Sequence, residues 1–454
     1  MELSPEQQIA FDKYVQGKNI FITGPGGTGK STLIKKIQSN ARKKLLNIQV
    51  CALTGCAAVL IGCKAKTIHS WSGIGLGNGS IGINVKKVTM NKYKQKAWKN
   101  VDILVIDEVS MMSQKIFEML DAIGKTARDN VKPFGGIQVI FLGDFYQLPP
   151  VGNKDEIETV RFCFESAAWN ETFSKENTVQ LKKIFRQTDE TYTKILNQIR
   201  EGRIKKSSND LLLSLVGKKP EEGSIIQPTK LFPVRSKVDA INESKMKELN
   251  TPEFEFKIRM LKNLPTGEKE KEKEKEREKE RGHPSPKFTP EQIDAELHNI
   301  HNSILCNDVV KLKVGAQVMC VVNIELPTGE MICNGSQGVI VNFTEQGLPT
   351  VKYRNGHEMT MNYHVWESEN VIGAGVSQIP LILAWAITIH KSQGATMDIA
   401  EIDVGSGIFE CGQTYVALSR VKSLEGLYLS SFDASKIFIN KKVREFYDDL
   451  SSNL

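Results

Sequence analysis

Long apolar runs are absent from this 454-residue chain. Nothing approaches the roughly 20 residues that a membrane-spanning helix needs, so no membrane partner is expected. The N-terminus, MELSPEQQ, has no basic segment leading into an apolar one, and a signal peptide is not expected. It also carries Glu2 and Glu6 and no Arg, which argues against a mitochondrial transit peptide. Cysteine is sparse and unpatterned. The eight cysteines, at 51, 56, 63, 163, 306, 320, 333 and 411, make no CxxC pair, and no His follows at zinc-finger spacing. They are expected to be reduced, intracellular and mostly in the core. No strong charge of either sign is present: Lys and Arg number 60 against 53 for Asp and Glu, a net +7. The run Glu268–Arg281, EKEKEKEKEREKER, holds as many acids as bases, so the basic excess belongs to the rest of the chain. That excess suits a polyanionic partner without identifying one.

Hydrophobic residues make up 40% of the chain and charged residues 25%, ordinary for a soluble globular protein with sizeable cores. In the first half, NIFITG (19–24), IQVCALTG (48–55), VDILVID (101–107) and GIQVIFLGD (136–144) read as short buried strands. Helical stretches such as STLIKKIQSNARKK lie between them, the pattern of βαβ units and a parallel sheet. A second such unit is expected to start near TVQLKKIFRQ (178–187) and IIQPTKLFPV (225–234). It resumes around IPLILAWAITIH (379–390) and ends with GLYLSSF (426–432). Two insertions interrupt it. The Glu/Lys run places like charges at i,i+4 and has no apolar face, so it reads as a solvated linker or frayed helix, with a binding tail as the other reading. The stretch of about 308–368 is β-like, with turn signals at Asn334-Gly335 and Asn355-Gly356, and reads as a small antiparallel barrel or meander.

GPGGTGKST (24–32) follows an expected strand and precedes a helix. Its pattern, G-x-x-x-x-G-K-[ST], turns backbone N–H groups toward phosphate oxygens, sends Lys30 to the β and γ phosphates and offers the Ser31 hydroxyl to Mg²⁺. The phosphate cradle is thus Gly24, Pro25, Gly26, Gly27, Thr28, Gly29, Lys30, Ser31 and Thr32. In VDILVIDEVSMM the strand ends on Asp107-Glu108, acids suited to Mg²⁺ (Asp107) and to activating water (Glu108). GDFYQLPP (143–150) leaves two readings open: a Pro-terminated turn, or a loop whose Gln147 senses the γ-phosphate or the attacking water.

Together LSPEQQ, GPGGTGKST, ALTGCAA, TIHSW, VIDEVSMM, GDFYQLPPV, FRQ, NGSQGVIV, ITIHKSQGATMD and YVALSRVKSLEGL resemble the petite-integration-frequency (PIF) DNA helicases, superfamily-one helicases related to RecD. The resemblance runs over nearly the whole chain in order, and EVSMMSQKIFEMLD favours this family over RecD proper. It implies an α/β fold: two RecA-like P-loop domains with parallel sheets, ATP between them, and an SH3-like β subdomain inserted in the second. It also implies 5′→3′ movement on single-stranded DNA, which nothing in composition or spacing indicates. By motif position Gln7 would read the adenine, Gln147 would couple ATP to DNA, and Arg186 and Arg420 would be the fingers on the γ-phosphate. An arginine arriving from another domain suits a loose phosphoryl-transfer transition state.

The DNA track needs phosphate contacts on both domains. Thr54, Gly55, His69 and Ser70 are its candidates in the first; Thr388, His390 and Lys391 are those in the second, with Gly394 turning the chain toward the ATP cleft. Trp71–Asn100, with Lys86, Lys87, Lys92, Lys94, Lys96 and Lys99 near Tyr93 and Trp98, is a surface loop or, by resemblance, a wedge that splits the duplex. The expected boundaries are 1–177 for the first RecA-like domain with the wedge at about 71–100, then 178–263 for the start of the second. The charged linker follows at 264–290, the β subdomain at 308–368 and the remainder at 369–454. The function expected is an ATP- and Mg²⁺-dependent helicase on single-stranded and forked DNA in replication, repair or recombination, monomeric and intracellular. A nucleus, a cytoplasmic viral replication site and a bacterial cytosol all suit it. The competing readings are a RecD-like helicase working with an exonuclease, a P-loop kinase for a small molecule, and a DNA-binding protein with a dead ATPase site.

Overall fold

The structure, a computed structural model, describes residues 3–75, 77–187, 189–219, 226–262, 288–325, 331–368, 371 and 373–452. The Glu/Lys run and its flanks therefore lie outside the described residues. The chain divides into two compact units, residues 1–241 with 385–454, and residues 242–384.

The first unit holds two parallel sheets. Strands β1 (Ile20–Thr23), β2 (Ile48–Ala52), β3 (Lys66–Thr67), β4 (Ile103–Asp107), β5 (Gln138–Gly143) and β6 (Thr178–Gln180) pair in the order β3-β2-β4-β5-β1-β6. Every pairing in this sheet is parallel. Helices cover both faces, which is why β4 and β5 read as near-continuous apolar runs and not as alternating ones. Four of the six strands stand where the sequence placed them. The segment expected to open the second unit does not: Thr178–Gln180 is the edge strand of the first sheet, with Phe21 opposite Thr178. A run of three residues carries no periodicity of its own, and its partner is chosen by tertiary contacts.

The second sheet runs Ala386–Thr388, Thr229–Phe232, Ala400–Val404, Leu427–Phe432, again all parallel. Helix α1 (Pro5–Val15) starts at a capping box between Ser4 and Gln7. The helix Lys441–Ser451 is amphipathic and buries Val443, Tyr447 and Leu450 in the core of the first sheet, beside Phe21, Phe145 and Trp169. Part of 369–454 thus completes the first core instead of the second.

The apolar run IPLILAWAITIH also splits. Leu381–Leu383 is a strand of the second unit, antiparallel to Gln317–Cys320, whereas Ala386–Thr388 enters the parallel sheet of the first. Continuous hydrophobicity hides such a break, because both strands are buried.

The second unit is mostly antiparallel. Its largest sheet orders Glu358–Thr360, Pro349–Tyr353, Gln337–Phe343, Gln317–Cys320 and Leu381–Leu383. The Asn355-Gly356 turn closes a hairpin there, with Gly356 at φ 86°. Phe254–Lys257, Arg259–Leu261 and Gly375–Gln378, all outside 308–368, supply further ladders. The helix Pro290–Ser303 packs on this unit through Leu297.

In 71–100 two helices form, Ile81–Met90 and Lys92–Asn100. Trp98 is fully buried, 4.8 Å from Trp71, and its indole N–H donates to the Ser72 carbonyl. It is a core residue, while Tyr93 and most of the lysines face solvent. Cys51, Cys63, Cys163, Cys306, Cys320, Cys333 and Cys411 are free thiols.

Candidate nucleotide and nucleic-acid site

β1 ends at Thr23, and the P-loop turns over it into α2 (Lys30–Lys43). The turn needs Gly27 at φ 85° and Gly29 at φ 77°, conformations that side-chain-bearing residues avoid. No side chain caps α2, so its first-turn N–H groups are left for an anion. Lys30 Nζ donates to the carbonyls of Gly24 (2.8 Å) and Pro25 (3.0 Å). Burial lowers the pKa of its ammonium, opposed by Asp144, Glu108 and Asp107. Ser31 and Thr32 are exposed on the first turn.

β4 delivers Asp107 and Glu108 to the same place. Burial first, and the charge of Glu108 next, raise the Asp107 carboxyl to about 7, with Lys30 opposing. Glu108 sits at φ 57°, a strained conformation for such a residue, and its Oε2 is buried without a hydrogen-bond partner. A carboxylate oxygen held dry and unpaired suits water or a hydrated metal. Gln147, 4% exposed, follows β5.

The decisive geometry is at Gly26. A Cβ there would lie 3.4 Å from Arg186 Nη1 and 3.8 Å from both Arg420 Nη2 and Tyr415 Oη. The Gly26 N–H donates to Tyr415 Oη at 2.9 Å. Both guanidiniums thus stand over the phosphate cradle. Their hydrogen bonds go to carbonyls and a hydroxyl: Arg186 to Ser419 O, Arg420 to Val416 O and Ser419 Oγ. Burial pulls both below the ordinary arginine value, Arg420 to about 9, where the charge of Arg186 adds to the effect. Two desolvated cations held close together call for an anion between them.

Several contributors were not foreseen. Gln187 donates to the carbonyls of Ser419 (3.2 Å) and Val421 (3.2 Å), fixing the segment that carries Arg420. Phe185, half exposed, bonds its N–H to Gly27 O, and its ring lies 3.6 Å from where a Gly29 Cβ would stand. Asp144, fully buried, takes two hydrogen bonds of 2.8 Å from Arg200. Burial pulls the Arg200 pKa down, but the neighbouring Asp144 outweighs it and holds the group above its ordinary value. Tyr447 joins Thr23 Oγ1 at 2.6 Å and accepts from Phe145 N–H. Phe185, Gln187, Asp144 and Tyr415 sit inside motif strings already singled out; Arg200 and Tyr447 carry no local signal. Gln7 is buried, with Nε2 donating to Thr28 O and Gly29 O and Oε1 accepting from Ser4 N–H.

The residues expected on a DNA track lie elsewhere. Thr54 and Gly55 open the helix Gly55–Ile61, and Thr67 Oγ1 accepts from the Ser70 N–H. Thr388 Oγ1 accepts from the Lys391 N–H, and Ser392 Oγ donates to Ile389 O, folding the loop tightly. Gly394 meets Leu60 of Gly55–Ile61, so it brings the loop after Thr388 against that helix and is not among the groups against the P-loop glycines. Burial lowers the pKa of both His69 and His390, with Glu410 opposing at His390.

This fold and this site define a P-loop nucleotide-binding protein with two parallel α/β sheets. Residues 2–210 match the family model described as PIF1-like helicase, and residues 296–343 match the one for the DNA helicase Pif1 2B domain. The chain is 32% identical to the ATP-dependent DNA helicase RRM3 of Saccharomyces cerevisiae, over 99% of this chain and 68% of that protein. The chain belongs to the PIF1-like helicase family. It is 35% identical to the ATP-dependent DNA helicase PIF1 of Danio rerio over 99% of this chain, and spans 64% of that relative's length. It is also similar to a crystal structure of Pif1 helicase from Bacteroides in complex with ADP-AlF3 and ssDNA. The identity is 30% and the TM-score 0.65, covering 100% of this chain and 98% of that one.

Proposed function

We propose that this protein is an ATP-dependent DNA helicase that moves 5′→3′ along single-stranded DNA and opens duplex or forked DNA during replication, repair or recombination. The observation that carries it is the placement of Arg186 and Arg420 against Gly26, with the charge of Glu108, which follows the buried Asp107, acting on both. Lys30 and the first turn of α2 bind the phosphates. Ser31 and Asp107 would hold Mg²⁺, and Glu108 takes a proton from the attacking water. ATP supplies the free energy, and Mg²⁺, when bound, would supply neutralisation of phosphate charge. Arg186 and Arg420 stabilise the charge that spreads over the transferring phosphoryl oxygens. Gln147 relays the state of the cradle. Thr54, Gly55, His69, Ser70, Thr388, His390 and Lys391 grip the strand, supported by the complex of the Bacteroides relative with both ligand types. The protein acts as a monomer in an intracellular compartment that holds replicating DNA.

Unwinding of a duplex with a 5′ single-stranded tail, compared with the same duplex carrying a 3′ tail, tests the reading. The 5′-tailed substrate is opened and the 3′-tailed one is not. Preference for the 3′ tail overturns the polarity, and ATP hydrolysis indifferent to single-stranded DNA overturns the helicase assignment.

Phe185 supplies an apolar face for the adenine between Gly29 and Gln7. Base stacking on an aromatic ring is worth ~1–3 kcal/mol. Phe185→Ala therefore raises KM for ATP about tenfold and leaves kcat within about twofold, because the ring touches the base and not the reacting phosphate. Steady-state ATPase assays check this.

A further inference from the structure

A cavity of about 350 Å³ opens at the leading edge of the P-loop, walled on one side by Thr23, Gly24 and Pro25. It shares Gly24 and Pro25 with the P-loop, but none of Lys30, Arg186 and Arg420 lines it, so it opens away from the side that the two guanidiniums face. Its other walls are three separate elements: the segment after β6 with Lys182, the exit of the helix Glu190–Arg200 with Arg203, and the C-terminal helix with Arg444. Arg200 also faces it, but its charge is spent on Asp144. The carboxylates of Glu201 and Asp448 lie on the same walls, leaving a basic excess. Among the described residues, Lys182, Arg203 and Arg444 make no ion pair, and Arg444 Nε is buried without a hydrogen-bond partner. A guanidinium N–H shielded from water with no acceptor is costly, and a ligand oxygen would relieve it.

Three cations arriving from three directions suit a tetrahedral oxyanion better than a planar carboxylate. The cavity has room for such an ion and several waters. DNA is the wrong source of that oxyanion. The track residues Thr54, Gly55, His69 and Ser70 follow β2 and β3 at one edge of the first sheet, and the loop after Thr388 meets them through Gly394 and Leu60, whereas the cavity follows β1 and β6 at the opposite edge.

We propose that this cavity is a second oxyanion site that binds inorganic phosphate, next to the peptide whose carbonyls hold Lys30. Where the phosphate is the product of hydrolysis, the proposal rests on the ATPase reading above. Phosphate from solution has the same chemistry.

The test uses the full chain with its cradle filled by a β,γ-imido analogue of ATP, and measures binding of ³²P-orthophosphate by equilibrium dialysis. One phosphate per chain still binds, with a dissociation constant on the order of 1 mM. The double variant Arg203→Gln/Arg444→Gln binds it about tenfold more weakly. Absence of binding to the unaltered chain overturns the site, and unchanged binding by the double variant overturns the residues. Should that variant not fold, Lys182→Gln, an exposed position, gives the same comparison. A second arm uses γ-³²P-ATP in a single turnover followed by rapid filtration. Label that stays with the protein after bond cleavage marks product phosphate, and label that binds only from solution marks a free-phosphate site. Lack of any hydrolysis strikes the helicase reading and leaves the dialysis result standing.

Discussion

Arg420→Gln lowers DNA-stimulated ATP turnover by about 10³-fold or more, while the affinity for a non-hydrolysable ATP analogue falls by no more than about tenfold. Both numbers follow from where the guanidinium stands. It faces Gly26 beside Arg186, where negative charge spreads in the transition state, so its contribution is larger there than in the ground state. Arg420→Lys does not restore turnover, because an ammonium lacks the planar fork that donates to Val416 O and Ser419 Oγ while facing the cradle. Stability moves the other way. Burial and Arg186 lower the Arg420 pKa to about 9, well below the ordinary arginine value. At neutral pH the group is charged, and the ligand-free fold bears the whole desolvation cost, which eases only as pH rises past 9. The neutral variant sheds that cost, so its Tm without nucleotide is not lowered. The analogue raises Tm less in the variant than in the parent, because the parent's cationic pair is relieved by the anion. Pre-steady-state ATPase assays and thermal melts with and without analogue check both halves. A variant that melts well below the parent without nucleotide contradicts the account.

Arg200→Ala destabilises the first unit by about 3–5 kcal/mol, the cost of leaving a buried carboxylate unpaired. Asp144 has no exposure and receives both of its close hydrogen bonds from Arg200, at 2.8 Å each. The guanidinium also lies 4.5 Å from the ring of Tyr146 and 5.5 Å from that of Tyr447, so its loss opens the stack those two rings make. Arg200→Met combined with Asp144→Asn recovers most of the stability, since no charge is then stranded. Urea unfolding midpoints of the three proteins measure the effect. Equal loss in the single and double variants would assign it to packing and not to the stranded charge.

The parallel sheets and the P-loop were readable because their signals are local. A buried strand is an apolar run, and a phosphate cradle is a run of glycines ending in Lys-Ser. Asp107 and Glu108 were legible for the same reason, lying at the end of such a run. What escaped depends on distance along the chain. Nothing around Arg200 marks it as the partner of Asp144, 56 residues earlier. The edge strand Thr178–Gln180 is too short to show a period, and the break within IPLILAWAITIH lies between two equally apolar strands. Trp98 was taken with the lysines around it because a basic helix has a polar face and a buried one, and composition averages the two. Arg186 and Arg420 came from their place in a resemblance; the geometry at Gly26 gives a physical reason for pairing them.

The helix Lys441–Ser451 sets a clock on biosynthesis. Phe446 packs 5.4 Å from Phe145 and 4.5 Å from Phe164, so the core that supports the P-loop strand stays open on one side until those residues leave the ribosome. Elongation at about 5–20 residues per second puts roughly 15–60 s between the emergence of Phe145 and that of Phe446. For that interval the nascent chain displays an aromatic face to the cell, and a chaperone that shields aromatic surface is the natural company for it.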